Sequence, residues 1–326
     1  MNMGRSMVVL LAAVGGVAMG QPGEGAGAAG AGGGGPGGGP GGGPGRGDGS
    51  PWRITFTTAG EYTTAADFKA DGGGSVSVAR ANAGLSVSRQ VGDKGLASVS
   101  LGWQRSWYDF DSPSVFGATA PWDEVNEIDL SVLYRVWIND KWSWFGGGGV
   151  NSAGEDGADF GDTLTGGGVL GAGYAFNEKF RLTGGLLVRS QLEEDVTFVP
   201  IIGVDWKFAE KWRLSTDYRR SIFPRPSLSL IHSLSDSLDL ALSVGYETRV
   251  FRLDEDGSNP DGVARERRVP VELSADWKVS PNVSLNAMAG VSTWGRYRLD
   301  DSTGTRISQS EVEPAGIFGL SVKLEF

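Results

Sequence analysis

The chain has a single histidine, His232, in the run Leu-Ser-Leu-Ile-His-Ser-Leu-Ser over 228–235. A hydrolase carried on an extended strand needs a serine beside its histidine, so that the imidazole can take the hydroxyl proton. Side chains two apart share a face of a strand, and that position here is Leu234. Ser233 and Ser235 fall on the opposite face, so His232 has nothing to deprotonate. The sequence therefore nominates no catalytic residue, and a hydrolase stays a remote alternative. With no cysteine and one histidine, thiol chemistry, disulfides and a transition-metal site all lack their ligands. No cofactor is expected.

Two other patterns invite chemistry. Acidic clusters occur at Asp109 and Asp111, over 155–162, over 193–195 and over 254–256. None has the Asp-x-Asp-x-Asp-Gly spacing with a distant Glu that calcium loops use, so they read as solvated loops. A weaker reading has them share divalent cations with lipid headgroups. Glycines crowd 146–149, 166–168, 171, 173, 184 and 185. A phosphate-cradling loop would be followed by a helix, and none follows. Glycine within strands marks tight curvature or close approach by another backbone, from an inward-packed segment or a partner barrel.

The elements that would position these residues are strands. Val99, Leu101, Trp103 and Trp107 share one parity, with Ser98, Ser100, Gln104 and Ser106 on the other. The same alternation runs through 127–138, 197–208, 238–249 and 271–279. A period of two sustained over such lengths gives strands with one apolar face. Short polar turns recur between aromatic or apolar ends, as in WINDKW (137–142), FNEKF (176–180) and FAEKW (208–212). Longer, acidic, glycine-containing connections alternate with them, at 109–122, 152–162, 254–265 and 300–310. Strict alternation of tight and long connections predicts an all-β, up-and-down antiparallel barrel of about 14 strands, an even number placing both barrel ends on the tight-turn rim. Twelve strands remain open, because the pieces 211–219 and 227–234 are short.

Three domains follow. Residues 1–20 have Arg5, an apolar run and small residues at Ala18 and Gly20, the layout of a secretory signal peptide. Residues 21–50 are Gly/Pro-rich without a strict Gly-X-Y period, which predicts a disordered linker and not collagen. Residues 51–326 are the barrel. The formal net charge of −10 argues against nucleic acid as a partner.

A ring of this size encloses a lumen too wide for a compact apolar core. Polar residues lining that lumen and apolar ones facing lipid satisfy both surfaces, which predicts a transmembrane barrel of the bacterial outer membrane with its lipids as partners. Trp142, Tyr174, Phe176, Phe180, Trp206, Phe208, Trp212 and Trp277 flank tight turns and would form one periplasmic aromatic girdle. The rival is a β-sandwich with these aromatics as its core. Phe318, Leu320, Val322, Leu324 and Phe326 alternate with Gly319, Ser321, Lys323 and Glu325. This resembles the last strand of bacterial outer-membrane proteins, which implies recognition by the barrel-assembly machinery. From Trp52 to Phe326 the chain looks like an uncharacterised outer-membrane β-barrel family that includes planctomycete proteins. That resemblance implies fold and location and carries no activity.

The leading functional expectation is a passive channel or transporter for small solutes. Its field would be set by lumen-lining Arg135, Arg181, Arg189, Asp205, Arg213, Asp217, Arg219 and Glu247. The competing expectation is a structural or surface-interaction barrel in which these charges pair and block the lumen.

Overall fold

The computed structural model describes residues 52–70, 73–117, 120–216 and 225–326. The expected signal peptide and linker lie outside the described residues, as do Asp217 and Arg219. Strand segments in chain order are β1 (Trp52–Asp67), β2 (Ser75–Val91), β3 (Gly95–Asp111), β4 (Glu124–Trp137), β5 (Trp142–Glu155), β6 (Leu164–Asn177), β7 (Phe180–Gln191) and β8 (Glu194–Trp206). There follow β9 (Trp212–Ser215), β10 (Ser227–Ser235), β11 (Leu238–Gly245), β12 (Glu247–Arg252), β13 (Val263–Ser280), β14 (Val283–Asp300), β15 (Arg306–Glu311) and β16 (Ala315–Glu325). Segments β11 and β12 keep one register along β13, so they are a single stave broken at Tyr246. β15 and β16 share a stave along β14 in the same way.

The result is a closed antiparallel barrel of 14 staves. Neighbours pair in chain order through β11, then β13, β14 and β16, and β16 closes on β1. Reciprocal backbone bonds between Ile54 and Phe326, at 2.9 and 2.8 Å, shut the seam at the tight-turn rim. Closing β16 on β1 pairs the two ends of the sheet, where open edges would be costly in a bilayer.

Period-two patterning sets which face is which. Leu101, Leu130, Val132, Leu170, Phe198, Ile202, Leu273 and Leu320 stand outside at 46–67% exposure. Ser100, Ser131, Ser229 and Ser243 point inward and are buried. Such inversion is unfavourable in water and correct in lipid, so this is a transmembrane barrel and not a sandwich.

The strict alternation of tight and long connections is corrected at three places. β7 and β8 are joined on the loop rim by 192–193 alone, because Glu193 adopts φ 52 and lets two residues reverse the chain. Part of the expected 254–265 loop is strand, since β13 begins at Val263, and 306–311 is β15 paired with β14. There the staves run on with polar residues on both faces, where no lipid stripe is needed.

Segment β12 departs from the wall. Its front face, Glu247, Arg249 and Phe251, meets residues of β3 and β4, while Thr248 and Val250 on its back face border a cavity with β5–β7. Both faces are thus inside the ring. Arg252 pairs in parallel with Gly154 of β5, near the opposite side of the ring. The bend lies at one level across three staves. At Gly245 a Cβ would come 3.3 Å from Pro226 O and 3.4 Å from Pro270 Cγ, so a side chain would crowd the turn inward. Pro270 sits in β13 beside it, and a bulge in β14 holds Trp294 at φ 49. Proline and bulges interrupt pairing and bend a sheet, which is what folding the β12–β13 hairpin inward requires.

Candidate functional site

The inward hairpin brings to the barrel's centre four guanidiniums, Arg80, Arg225, Arg249 and Arg268, and five carboxylates, Glu61, Glu127, Glu247, Glu266 and Glu272. Glu247 is the hub: Arg249 Nε lies at 2.7 Å, Arg225 Nη1 at 2.8 Å, Arg268 Nε at 2.9 Å and Arg80 Nη1 at 3.7 Å. Glu61 accepts from Arg80 Nη1 at 3.1 Å and also from Arg268, whose Nη1 donates to Thr63 Oγ1 at 2.8 Å. Arg225 reaches Glu272, and Arg249 reaches Glu127 and, at 2.9 Å, Gln104 Oε1. Isolated ions would not stay buried here, since each loses its water. Placing every charge between partners of opposite sign makes the arrangement tenable.

Towards the loop rim an aromatic layer caps this belt. Phe68, Tyr108, Phe110, Phe116, Trp122, Phe251 and Tyr297 pack together, with ring centroids 5.0 Å apart for Phe110–Trp122 and 5.9 Å for Trp122–Phe251. Phe116 and Trp122 belong to the 112–123 connection, which sequence patterning treats as a solvated loop. Phe116 and Trp122 turn inward instead, because aromatic rings gain by burial while Asp109, Asp111 and Asp123 stay exposed. The Tyr108 hydroxyl donates to Glu266 Oε2 at 2.8 Å and ties the two layers.

Towards the turn rim the inner faces of β4–β8 carry a smaller apolar cluster of Leu133, Phe145, Val169, Leu187, Val199 and Ile201. The Phe145 ring lies over Gly171, where a Cβ would come 2.3 Å from Cζ. Gly171 thus serves close approach, covered by Phe145, while Gly149, Gly166 and Gly167 border a cavity that separates them from β12. An inward-packed segment occupies this side of the lumen.

The residues nominated from sequence are distributed as follows. Glu247 is the hub of the ionic belt. Arg135 is buried on the inner face of β4, its guanidinium carbon 5.5 Å from the Phe145 centroid. Arg213 Nε donates to Asp205 Oδ1 at 2.7 Å near the turn rim, and Arg181 sits across from Asp205 in register. Arg189 borders the cavity behind β12. Outside, Trp142, Tyr174, Phe176, Phe180, Trp206 and Phe208 form a continuous chain of ring contacts, with centroid separations of 4.7–6.0 Å. Trp212 lies 4.4 Å from His232 by centroid, so the histidine pairs with a ring on the outer face. Trp277 is half exposed on β13, as are Phe318 and Leu320 on β16.

Patterning missed Glu61, Arg80, Arg225, Glu266 and Arg268 as lumen residues. Glu61 and Arg80 are direct register partners on the inner faces of β1 and β2, a parity signal already present in the sequence. Arg225, Glu266 and Arg268 belong to a region where alternation fails. Among the described residues no cluster of three or more histidine, cysteine or acidic side chains could hold a metal ion.

Ring closure, an apolar exterior and a polar interior define a β-barrel of the bacterial outer-membrane kind. Residues 52–323 match the family described as Domain of unknown function (DUF6268), and the chain belongs to that family. No curated protein sequence matches it. Among solved structures it is similar to a Pseudomonas aeruginosa FadL homologue, at 12% identity and a TM-score of 0.48, covering 83% of this chain and 90% of that one. It is also similar to an outer-membrane channel from Pseudomonas putida F1, at 11% identity and a TM-score of 0.44, covering 84% and 95%. A third is the translocator domain of the autotransporter NalP from Neisseria meningitidis, at 15% identity and a TM-score of 0.35, covering 86% and 90%. At these levels the likeness concerns the shape of the wall and says nothing about what passes through it.

Proposed function

We propose that this barrel is a gated conduit for small solutes across the outer membrane, shut in the present conformation by the β12–β13 hairpin. The observation that carries the reading is the makeup of the contact between hairpin and wall. Its centre is a belt of buried ion pairs and not apolar packing. Buried pairs are a poor route to stability, since apolar residues of equal volume do as well or better. Their advantage appears when a contact must come apart: charged faces regain their hydration on separation, whereas apolar faces do not. The segment also continues the register of β11 along β13 past the bend at Gly245–Tyr246, so it is built as part of the sheet and not as a separate plug.

The refolded full-length chain in a planar bilayer should be quiet at rest and show brief discrete openings as voltage rises. Silence at every voltage and in every electrolyte would favour the second reading, a surface barrel whose lumen never opens. That reading is favoured by the same belt, taken as permanent.

A further inference from the structure

Behind β12 lies a cavity of about 110 Å³. It is bordered by Thr248 and Val250 of β12 and by Asn151, Thr165, Gly167 and Arg189 on the inner faces of β5–β7. Arg189 differs from the arginines around it. Arg80, Arg225, Arg249, Arg252, Arg265 and Arg268 each contact a carboxylate. The Arg189 Nε is buried without a hydrogen-bond partner, and the guanidinium forms no hydrogen bond or ion pair among the described residues. Glu127 also borders the cavity, but Arg249 and Gln104 already engage it. Arg189 therefore faces this space with a single, committed carboxylate.

A desolvated guanidinium left unpaired is costly, and a protein interior normally supplies its counter-charge. Here the carboxylate that acts on Arg189 from a distance, Glu194, lies outside the cavity and pairs with Arg265 at 3.1 Å, so what adjoins the guanidinium is a space. Its walls offer what an anion needs. The planar fork of an arginine fits the oxygens of a carboxylate or phosphate, and the Thr248 hydroxyl, with that of Thr165 once it leaves its long 3.4 Å bond to Asn151 O, can donate to the remaining ones. The glycine at 167 keeps the arginine stem against the wall, because a Cβ there would come 3.0 Å from Arg189 Cβ. The space admits several waters, and a small oxyanion can take their place.

We propose that Arg189 anchors a subsite for small oxyanions, carboxylate or phosphate, that traverse the lumen. The subsite deepens the conduit reading and rests on it for the word "traverse"; occupancy itself needs no open pore. The test is calorimetric titration of the full-length barrel in detergent micelles with inorganic phosphate and, separately, with succinate, each equilibrated before measurement. Saturable binding of at least one probe is expected, weakened about tenfold or more in Arg189→Gln. Arg189→Lys should retain part of the affinity, and Lys179→Gln, in the exposed turn between β6 and β7, should retain all of it. Strand circular dichroism and heat-dependent gel mobility separate lost binding from lost folding. Absence of saturable binding of both probes, or equal affinity in Arg189→Gln, overturns the subsite. A barrel that binds and never conducts keeps the subsite and refutes the conduit; one that conducts without saturable binding refutes the subsite alone.

Discussion

One terminal nitrogen of Arg80, on β2, lies 2.7 and 2.6 Å from the two carboxylate oxygens of Glu266, on β13. These staves are not neighbours in the sheet, so the bond bridges the interior of the barrel. It fastens the inward hairpin to the wall it faces, and Glu247 repeats the device with Arg225 at 2.8 Å and Arg80 at 3.7 Å, while Arg249 and Arg268 hold it within the hairpin. The consequences of this fastening can be measured.

Glu247→Gln removes the hub charge and leaves Arg80, Arg225, Arg249 and Arg268 short of a buried partner. Breaking one member of a buried ionic cluster costs about 3–5 kcal/mol. The loss should fall on the hairpin before the rest of the barrel. Expected results are frequent conductance steps in bilayers and faster proteolysis within 253–262, with the heat-dependent gel shift of the barrel retained. Wild-type protease resistance in the variant would contradict the role given to Glu247.

Phe251 is the hairpin's contribution to the aromatic cap and touches Trp122 and Tyr108. Phe251→Ala should destabilise this packing by about 3–5 kcal/mol. Trp122 is 1% exposed, and its emission should move to longer wavelength in the variant. Comparing each protein with its Trp122→Phe counterpart isolates that signal from the other tryptophans.

Gly171→Val should lower the urea midpoint of the folded barrel, by about 1–3 kcal/mol for overpacking. The new side chain would meet both the Phe145 ring and Gly184 O, the latter at 2.6 Å from Cβ. Phe145→Ala should restore only part of the loss, since the backbone oxygen cannot move aside. Full stability in the single variant would show that the ring is not held there.

Trp142, Trp206, Trp212 and Trp277 should all be quenched by lipids brominated near the headgroup, and Trp122 by none. Single-tryptophan variants in such vesicles report depth directly. Quenching of Trp142 by bromines at the bilayer midplane instead would remove the girdle from the interface.

Much of the wall was legible in the sequence. Leu101, Leu130 and Val132 alternate with Ser100 and Ser131, and lipid imposes that period wherever it touches the barrel. The hairpin was harder to read for the same reason. In 247–252 and 263–268 the charges no longer respect alternation, as the consecutive Arg265, Glu266, Arg267 and Arg268 show. Both faces there lie away from lipid, so the one constraint that writes a period into sequence is missing. A stave that loses its apolar stripe while remaining strand has left the membrane wall, and this rule would have found the site. Which carboxylate each arginine meets across the lumen was not legible. Arg80 and Glu266 are 186 positions apart, and their meeting depends on a bend set by Gly245, Pro270 and the bulge at Trp294.

The role of the hairpin is tested most directly by replacing Glu247–Arg268 with a short Gly-Asn-Gly link and recording single-barrel conductance. The lumen residues left behind still pair, Arg80 with Glu61 and Arg225 with Glu272, so the wall should fold without the insert. A hairpin that closes the lumen predicts a large, steady conductance in the shortened barrel against a quiet wild type. A shortened barrel that folds, inserts and stays as quiet as the wild type would contradict it.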